Sequence, residues 1–149
     1  AFFRVNLEQR KGWFCGFTTK EGFDKLRSGG RVVIEDDVEI GSNCTIDKGV
    51  TGDTTIKEGT KLDNLIQVGH DTVIGRKCLI ASQVGIAGAV TIEDEVTVWG
   101  QVGMRSGITV EKGGILMGQA GITKSTKANK IYTGNPGKIK RVGALKAIT

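Results

Sequence analysis

The chain contains one histidine, His70, set in a run of polar residues that could do chemistry. Asp63 and Asn64 lie shortly before it, Gln67 stands three positions before it, and Asp71 follows it directly. Eighteen residues beyond His70 is Gly88, within Gly85-Ile86-Ala87-Gly88. An imidazole beside a backbone N–H that no side chain covers is equipped for acyl transfer. The imidazole takes a proton from the nucleophile, and the N–H stabilises the oxyanion. Neither Ser nor Cys is placed beside His70, which favours direct transfer over a covalent intermediate. The pairing requires a fold in which residues eighteen apart meet.

The apolar pattern supplies such a fold. From Ile56 every sixth residue is aliphatic or Met: Leu62, Val68, Ile74, Ile80, Ile86 and onward to Ile122, without a slip. Ile34, Ile40 and Ile46 extend the series toward the N-terminus. The position two before each of these is mostly apolar too, as at Cys44, Ile66, Cys78, Val84 and Val90. Residues two apart share one face of a strand, so each hexad sends two side chains inward. Gly or Ala often follows the aliphatic position, at Gly41, Gly69, Gly75, Ala81 and Ala87, where a tight corner is expected. A six-residue period is too short for a helical solenoid and wrong for a heptad; it is the period of a parallel β-helix. Three hexads per coil give about five coils, roughly 24 Å tall at roughly 4.8 Å each. A β-sandwich would space its turns irregularly. The register places His70 on the outer side of the wall beside a corner, with Gly88 one coil on.

The period breaks once. Ile46 to Ile56 spans ten residues, so Asp47–Thr55 carries a four-residue insertion that must leave the wall. Such a loop is either a functional element or a harmless bulge. The ends are not hexapeptide. Residues 1–31 hold most of the aromatics and read as a cap or flap, with a short helix from Thr19 to Arg27. Residues 32–126 form the β-helix. Residues 127–149 form a basic tail, read as helical because Ile139, Val142, Leu145 and Ile148 recur every third residue.

Composition narrows the function classes. Only 5% of residues are aromatic and Pro occurs once, so the core is aliphatic. Cys15, Cys44 and Cys78 are odd in number and form no C-x-x-C pair, which argues against a disulfide framework or a zinc site. Cys44 and Cys78 read as small core side chains. No segment reaches membrane-spanning length and no signal segment opens the chain, so a soluble cytoplasmic protein is expected. Residues 32–123 carry seven basic and thirteen acidic side chains, whereas residues 124–149 carry seven basic and none acidic. That tail points to an acidic partner. Without a nucleic-acid-binding motif, a sugar nucleotide or an acidic carrier protein is favoured over nucleic acid.

The segments Ile46-Asp47-Lys48-Gly49, Gly52-Asp53-Thr54-Thr55-Ile56, Asp63-Asn64-Leu65-Ile66-Gln67-Val68-Gly69-His70-Asp71 and Ala87-Gly88 together resemble a known pattern. They are similar to the hexapeptide-repeat acyltransferases of lipid A biosynthesis, and particularly to the UDP-3-O-(3-hydroxyacyl)glucosamine N-acyltransferases. The likeness covers roughly residues 31–126, with Lys48 where that family has Arg. It implies a left-handed parallel β-helix working as a homotrimer with active sites between subunits. It implies that His70 is the general base, that the Gly88 N–H is the oxyanion donor, and that Asp63, Asn64 and Gln67 line the substrate cleft. It implies acyl-acyl carrier protein, or acyl-CoA, as co-substrate with no tightly bound cofactor or metal, and a UDP-sugar acceptor.

The chain departs from the family at three places. The family's second histidine, thirty-seven residues after the first, corresponds to Gly107 here. Its N-terminal uridine-binding domain has no counterpart in this sequence. Gly134-Asn135-Pro136-Gly137 resembles the ending of hexapeptide acetyltransferases. The expected function is 3-hydroxyacyl transfer to the amino group of UDP-3-O-acylglucosamine. The alternatives are UDP-N-acetylglucosamine O-acylation, acetyl-CoA-dependent sugar N-acetylation, or a scaffold without catalysis.

Overall fold

The computed structural model of the protein describes residues 16–25 and 27–140. It opens with an antiparallel hairpin, Gly16–Thr19 (β1) against Gly22–Lys25 (β2). This overturns the short helix expected over Thr19 to Arg27. Gly22, with φ of 133°, occupies a conformation closed to other residues, and the chain reverses there instead of winding on.

A repeating path follows. Val32–Ile34 (β3), Glu39–Ile40 (β4) and Thr45–Ile46 (β5) make the first coil. Thr54–Ile56 (β6), Lys61–Leu62 (β7) and Gln67–Val68 (β8) make the second. Val73–Ile74 (β9), Leu79–Ile80 (β10) and Gly85–Ile86 (β11) make the third. Thr91–Ile92 (β12), Thr97–Val98 (β13) and Gly103–Met104 (β14) make the fourth, and Thr109–Val110 (β15), Ile115–Leu116 (β16) and Gly121–Ile122 (β17) the fifth. A sixth, partial turn ends in Ile131–Thr133 (β18), on which Lys138–Ile139 (β19) folds back antiparallel.

From β3 to β17, strands three apart pair in parallel, producing three walls headed by β3, β4 and β5, and β18 continues the second wall on β16. The product is an all-β parallel solenoid of about six turns, close to the five coils the period implies. Partners are 18 residues apart in the regular coils, as for Ile80 and Val98. The first and second coils are offset by 22, as for Ile46 and Val68, which accounts for the four-residue insertion. The helix expected in the tail is absent over its first residues, since Lys138 and Ile139 are a strand. The remainder of that expectation, residues 141–149, lies outside the described residues.

Both apolar columns point inward as the period requires. Ile56, Val68, Ile74, Ile86, Ile92 and Val98 are fully buried, as are Val84, Val90 and Val96 from the second column. Each such side chain contributes about 2 kcal/mol by leaving water. Cys44 and Cys78 belong to this core, and burial pushes both thiols above the ordinary range.

The corners work differently from the expectation. The left-handed residue is the third after each aliphatic position, as at Asn43, Leu65, Asp71, Lys77, Gln83 and Ala89, with φ between 53° and 62°. None of these is β-branched, because branching at Cβ is the hardest to fit at positive φ. The small residue directly after the aliphatic position serves another purpose. A Cβ at Gly69 would stand 2.6 Å from the Ala87 carbonyl carbon, so small size there lets the next coil close over it.

Leu65, half exposed and left-handed, is the corner position at which this geometry is most directly tested. Leu65→Gly should leave the urea midpoint unchanged or raise stability by up to about 1 kcal/mol, while Leu65→Val should lower it by about 1–2 kcal/mol. A Val variant as stable as the parent would contradict the account.

Candidate active site

His70 and Asp71 occupy the corner between β8 and β9, and Gly88 lies at the same corner one coil on. The imidazole is one-third exposed, and its Nδ1 lies 2.7 Å from Asp71 Oδ2. The Asp71 carboxylate accepts no fewer than three backbone N–H groups from the inserted loop. Val50 and Thr51 each reach Oδ1 at 3.0 Å, and Gly52 reaches it at 2.7 Å. The Asp71 N–H donates to Thr54 Oγ1 at 2.9 Å, and Thr54 is fully buried. Burial works to raise the Asp71 pKa. The hydrogen bonds from His70 and from the Gly52, Val50 and Thr51 N–H groups outweigh it and hold the carboxyl at about 2. An ionised Asp71 at neutral pH is an acceptor only. It therefore fixes the proton of a neutral His70 on Nδ1 and leaves Nε2 as the basic nitrogen.

The Nε2 edge faces Gly88. A Cβ at Gly88 would overlap Nε2 and stand 2.7 Å from Cδ2 and Cε1, so only glycine fits beneath the ring. Gly88 is buried there, and its carbonyl accepts the Gly107 N–H at 3.2 Å. Its own N–H has no acceptor among the described residues. Some equivalent corner N–H groups are capped: Ser42 by Asn64 Oδ1 and Arg76 by Asp94 Oδ1, both at 2.7 Å. Among the described residues several corner N–H groups lack an acceptor, those of Ser82, Gly100 and Gly118 included, and the Gly88 N–H is the one that lies beside the imidazole.

The other predicted residues spread along the wall formed by β8 and its neighbours. Gln67 lies on that wall, with Oε1 bonded to Thr45 Oγ1 and Nε2 to Asp47 Oδ2 at 3.0 Å. Asp63 and Asn64 occupy the corner at the opposite edge, between β7 and β8, both exposed. Asp63 Oδ1 accepts the Asn64 N–H at 2.8 Å, so these oxygens already have local work. His70 and Gly88 are brought together; Asp63 and Asn64 are not brought into their corner.

Among the described residues, two surface grooves lie near these walls. The larger, about 640 Å³, lies on the wall of β7, β10 and β13 and includes Leu79 and Trp99, away from His70. The smaller, about 480 Å³, runs over the neighbouring wall past Gln67, Gly85, Ala87 and Arg105. Continuity with Gln67 and with Ala87, next to Gly88, makes the smaller groove the one relevant to the chemistry.

Sequence reasoning did not assign a role to Asp71 or the loop that grips it. The signal was the insertion itself, which emerges at the His70 corner one coil earlier. Close packing shapes the loop: a Cβ at Gly49 would overlap the Gly52 carbonyl oxygen and come within 3.1 Å of Asp53 Cα.

Comparison with known proteins agrees with this picture. No protein-family model matches the chain. It is 57% identical over 79 residues to the UDP-3-O-acylglucosamine N-acyltransferase of Methylobacterium nodulans, over 53% of this chain and 22% of that protein. It is 42% identical over 112 residues to the one from Wolinella succinogenes, over 75% of this chain and 35% of that protein. The chain thus spans between 22% and 35% of these relatives' length. Among solved structures it resembles the Francisella novicida UDP-N-acetylglucosamine acyltransferase, with a TM-score of 0.73 and 23% identity over 76% of this chain and 43% of the other. It also resembles the Caulobacter crescentus perosamine N-acetyltransferase, with a TM-score of 0.63 and 18% identity over 74% of this chain and 53% of the other. These two likenesses concern the fold alone.

Two predictions follow from the site geometry. Gly88→Ala should displace the imidazole from Asp71, which a crystal structure of the variant would reveal; an undisturbed ring would contradict the packing. Asp71, depressed from 3.8 to about 2, adds stability that is complete above about pH 4 and lost as pH falls through about 2. The parent's advantage over Asp71→Asn in urea unfolding should shrink by about 2 kcal/mol across that window. A pH-independent difference would count against the assignment. Over its β-helix the chain is thus similar in sequence to the UDP-3-O-acylglucosamine N-acyltransferases, and it shares the fold of the hexapeptide-repeat acyltransferases.

Proposed function

We propose that the protein transfers a 3-hydroxyacyl group from acyl carrier protein to the 2-amino group of a UDP-3-O-acylglucosamine, in lipid A biosynthesis. One observation carries this reading: a histidine oriented by a partly buried carboxylate presents Nε2 over a glycine whose N–H has no acceptor among the described residues. In the reaction, the amine attacks the thioester carbonyl as Nε2 accepts its proton. The Gly88 N–H donates to the developing oxyanion. Collapse of the tetrahedral intermediate completes the C–N bond, breaks the C–S bond, and returns the proton to the carrier thiolate. Asp71 remains ionised and stabilises the imidazolium formed between these steps.

The groove past Gly85 and Ala87 supports substrate placement, with Gln67 at its margin and Asp63 and Asn64 toward the far edge. Exposed Lys124, Lys127, Lys130, Lys138 and Lys140 support docking of an acidic carrier. The resemblance of the His70 segments to the lipid A acyltransferases supports a left-handed solenoid, assembled as a cytoplasmic homotrimer with its sites between subunits. Among the described residues no helix is long and apolar enough to cross a membrane. The Gly134-Asn135-Pro136-Gly137 segment favours a second reading, in which acetyl-CoA is the donor to an amino sugar.

The test supplies a 3-hydroxyacyl carrier protein or acetyl-CoA with UDP sugars bearing a free amine or only hydroxyls. Product should form from the carrier-bound donor and the amine, and His70→Ala should slow it by about 10²–10⁴-fold. Transfer by His70→Ala at the parental rate would remove the base assignment. Failure of both donors with every sugar would return the protein to a scaffold role.

A further inference from the structure

The Gly52-Asp53-Thr54 segment is used on both sides of Asp53 but not through Asp53 itself. Residues 50–52 donate their N–H groups to the Asp71 carboxylate, and Thr54 Oγ1 accepts the Asp71 N–H. Asp53 faces the other way, onto Arg31. Its Oδ1 accepts the Arg31 backbone N–H at 2.9 Å and Nε–H at 3.4 Å, and its Oδ2 accepts Nη2–H at 2.7 Å. The Arg31 carbonyl in turn accepts the N–H groups of Gly49 at 3.2 Å and Thr54 at 2.9 Å, at the two ends of the loop. Gly30 N–H donates to the Gly49 carbonyl at 2.9 Å, and Gly29 N–H to that of Val50 at 3.1 Å. One residue, Arg31, therefore ties together the two ends of the loop that grips Asp71.

We propose that Asp53 and Arg31 are a positioning pair for His70. Asp53 is the pivot between the two halves of the grip on Asp71. Held by Arg31, it keeps the three loop N–H groups converging on one carboxylate; that carboxylate fixes the imidazole tautomer and its angle over Gly88. A loop of Val50, Thr51 and Gly52 has no apolar anchor of its own in the core, so polar bonds must hold its shape. The Arg31 guanidinium is well exposed, and Arg31 lies on the coil preceding the loop, so the pair touches neither His70 nor Gly88. Its effect passes through Asp71 alone. The proposal rests on His70 acting as the base, but its structural half can be read without any turnover.

The single histidine makes that reading direct. In ¹⁵N-detected NMR of the imidazole in the full chain, the parent should show neutral His70 as one tautomer, protonated on Nδ1. Asp71→Asn, as the reference for a lost acceptor, should mix the tautomers. Asp53→Ala should mix them too, although it leaves Asp71 in place, and Asp53→Asn and Arg31→Gln should do so partially. In the transfer assay, Asp53→Ala should lower kcat about tenfold with KM changed less than twofold, and Asp53→Glu should recover part of the loss. A single Nδ1–H tautomer in all three Asp53 and Arg31 variants would overturn the proposal, whatever their melting temperatures. So would tautomer mixing without a fall in kcat in a parent that transfers acyl groups. If the parent proves inactive with every donor, the proposed function fails, and the tautomers alone decide whether the pair positions His70. Arg31→Gln alters an exposed side chain and keeps the test open should Asp53→Ala not fold.

Discussion

Each coil of this protein donates backbone N–H groups to the carbonyls of the next, as from Lys61 to Cys78, Gly69 to Ile86 and Val73 to Val90, at 2.8–2.9 Å. These bonds run along the prism axis, and every wall depends on them. Each joins an N–H to the carbonyl 17 residues on, which sets Cα partners 18 apart, so neighbours along the axis are specified by counting. A side chain larger than the corner allows would open the stack at that level. The site inherits its rigidity from the same bonds: Ala89 N–H donates to the His70 carbonyl at 2.7 Å, tying the two coils together at the His70 corner.

The register has one interruption in the coils around the site, and it is there that the solenoid acquires a side-chain dyad. A regular coil would leave the Asp71 carboxylate at a corner facing solvent. The four extra residues fold over it and supply donors, so the carboxylate is ionised and oriented at once. The cost of burying it is offset by hydrogen bonds to its charged form. Scaffold and chemistry are separable here: the 18-residue coils fix where His70 and Gly88 meet, and the 22-residue coil fixes how His70 is presented.

The same fold also keeps some residues apart. Asp63, Asn64 and Gln67 share with His70 the run of sequence that most resembles the N-acyltransferases, yet they extend across a full wall from one corner to the next. A substrate touching all of them must lie along that wall, over the shallow groove past Gly85 and Ala87. The larger groove beside Trp99 faces another direction and shares with this arrangement only Asp63, at its edge.

Much of this was legible in the order of residues because a short, strict period leaves little freedom. Two inward side chains per hexad determine the core, the wall count, and the juxtaposition of His70 with Gly88, since hydrogen-bonded coils allow one axial neighbour for each position. The insertion between Ile46 and Ile56 was legible as a length, but its path was not. That path depends on contacts across 20 or so residues, from Asp71 to Val50, Thr51 and Gly52 and from Asp53 to Arg31, which no local pattern encodes. The hairpin at residues 16–25 and the strand at Lys138–Ile139 were misread as helices for a related reason. Outside the repeat, spacing by threes or a few helix-formers is a weak constraint, and pairing with a neighbouring strand overrides it. The sequence by itself determined the coil and the two residues that meet on it. Tertiary structure alone decided which nitrogen of His70 is left basic, because that rests on a carboxylate held by a distant loop.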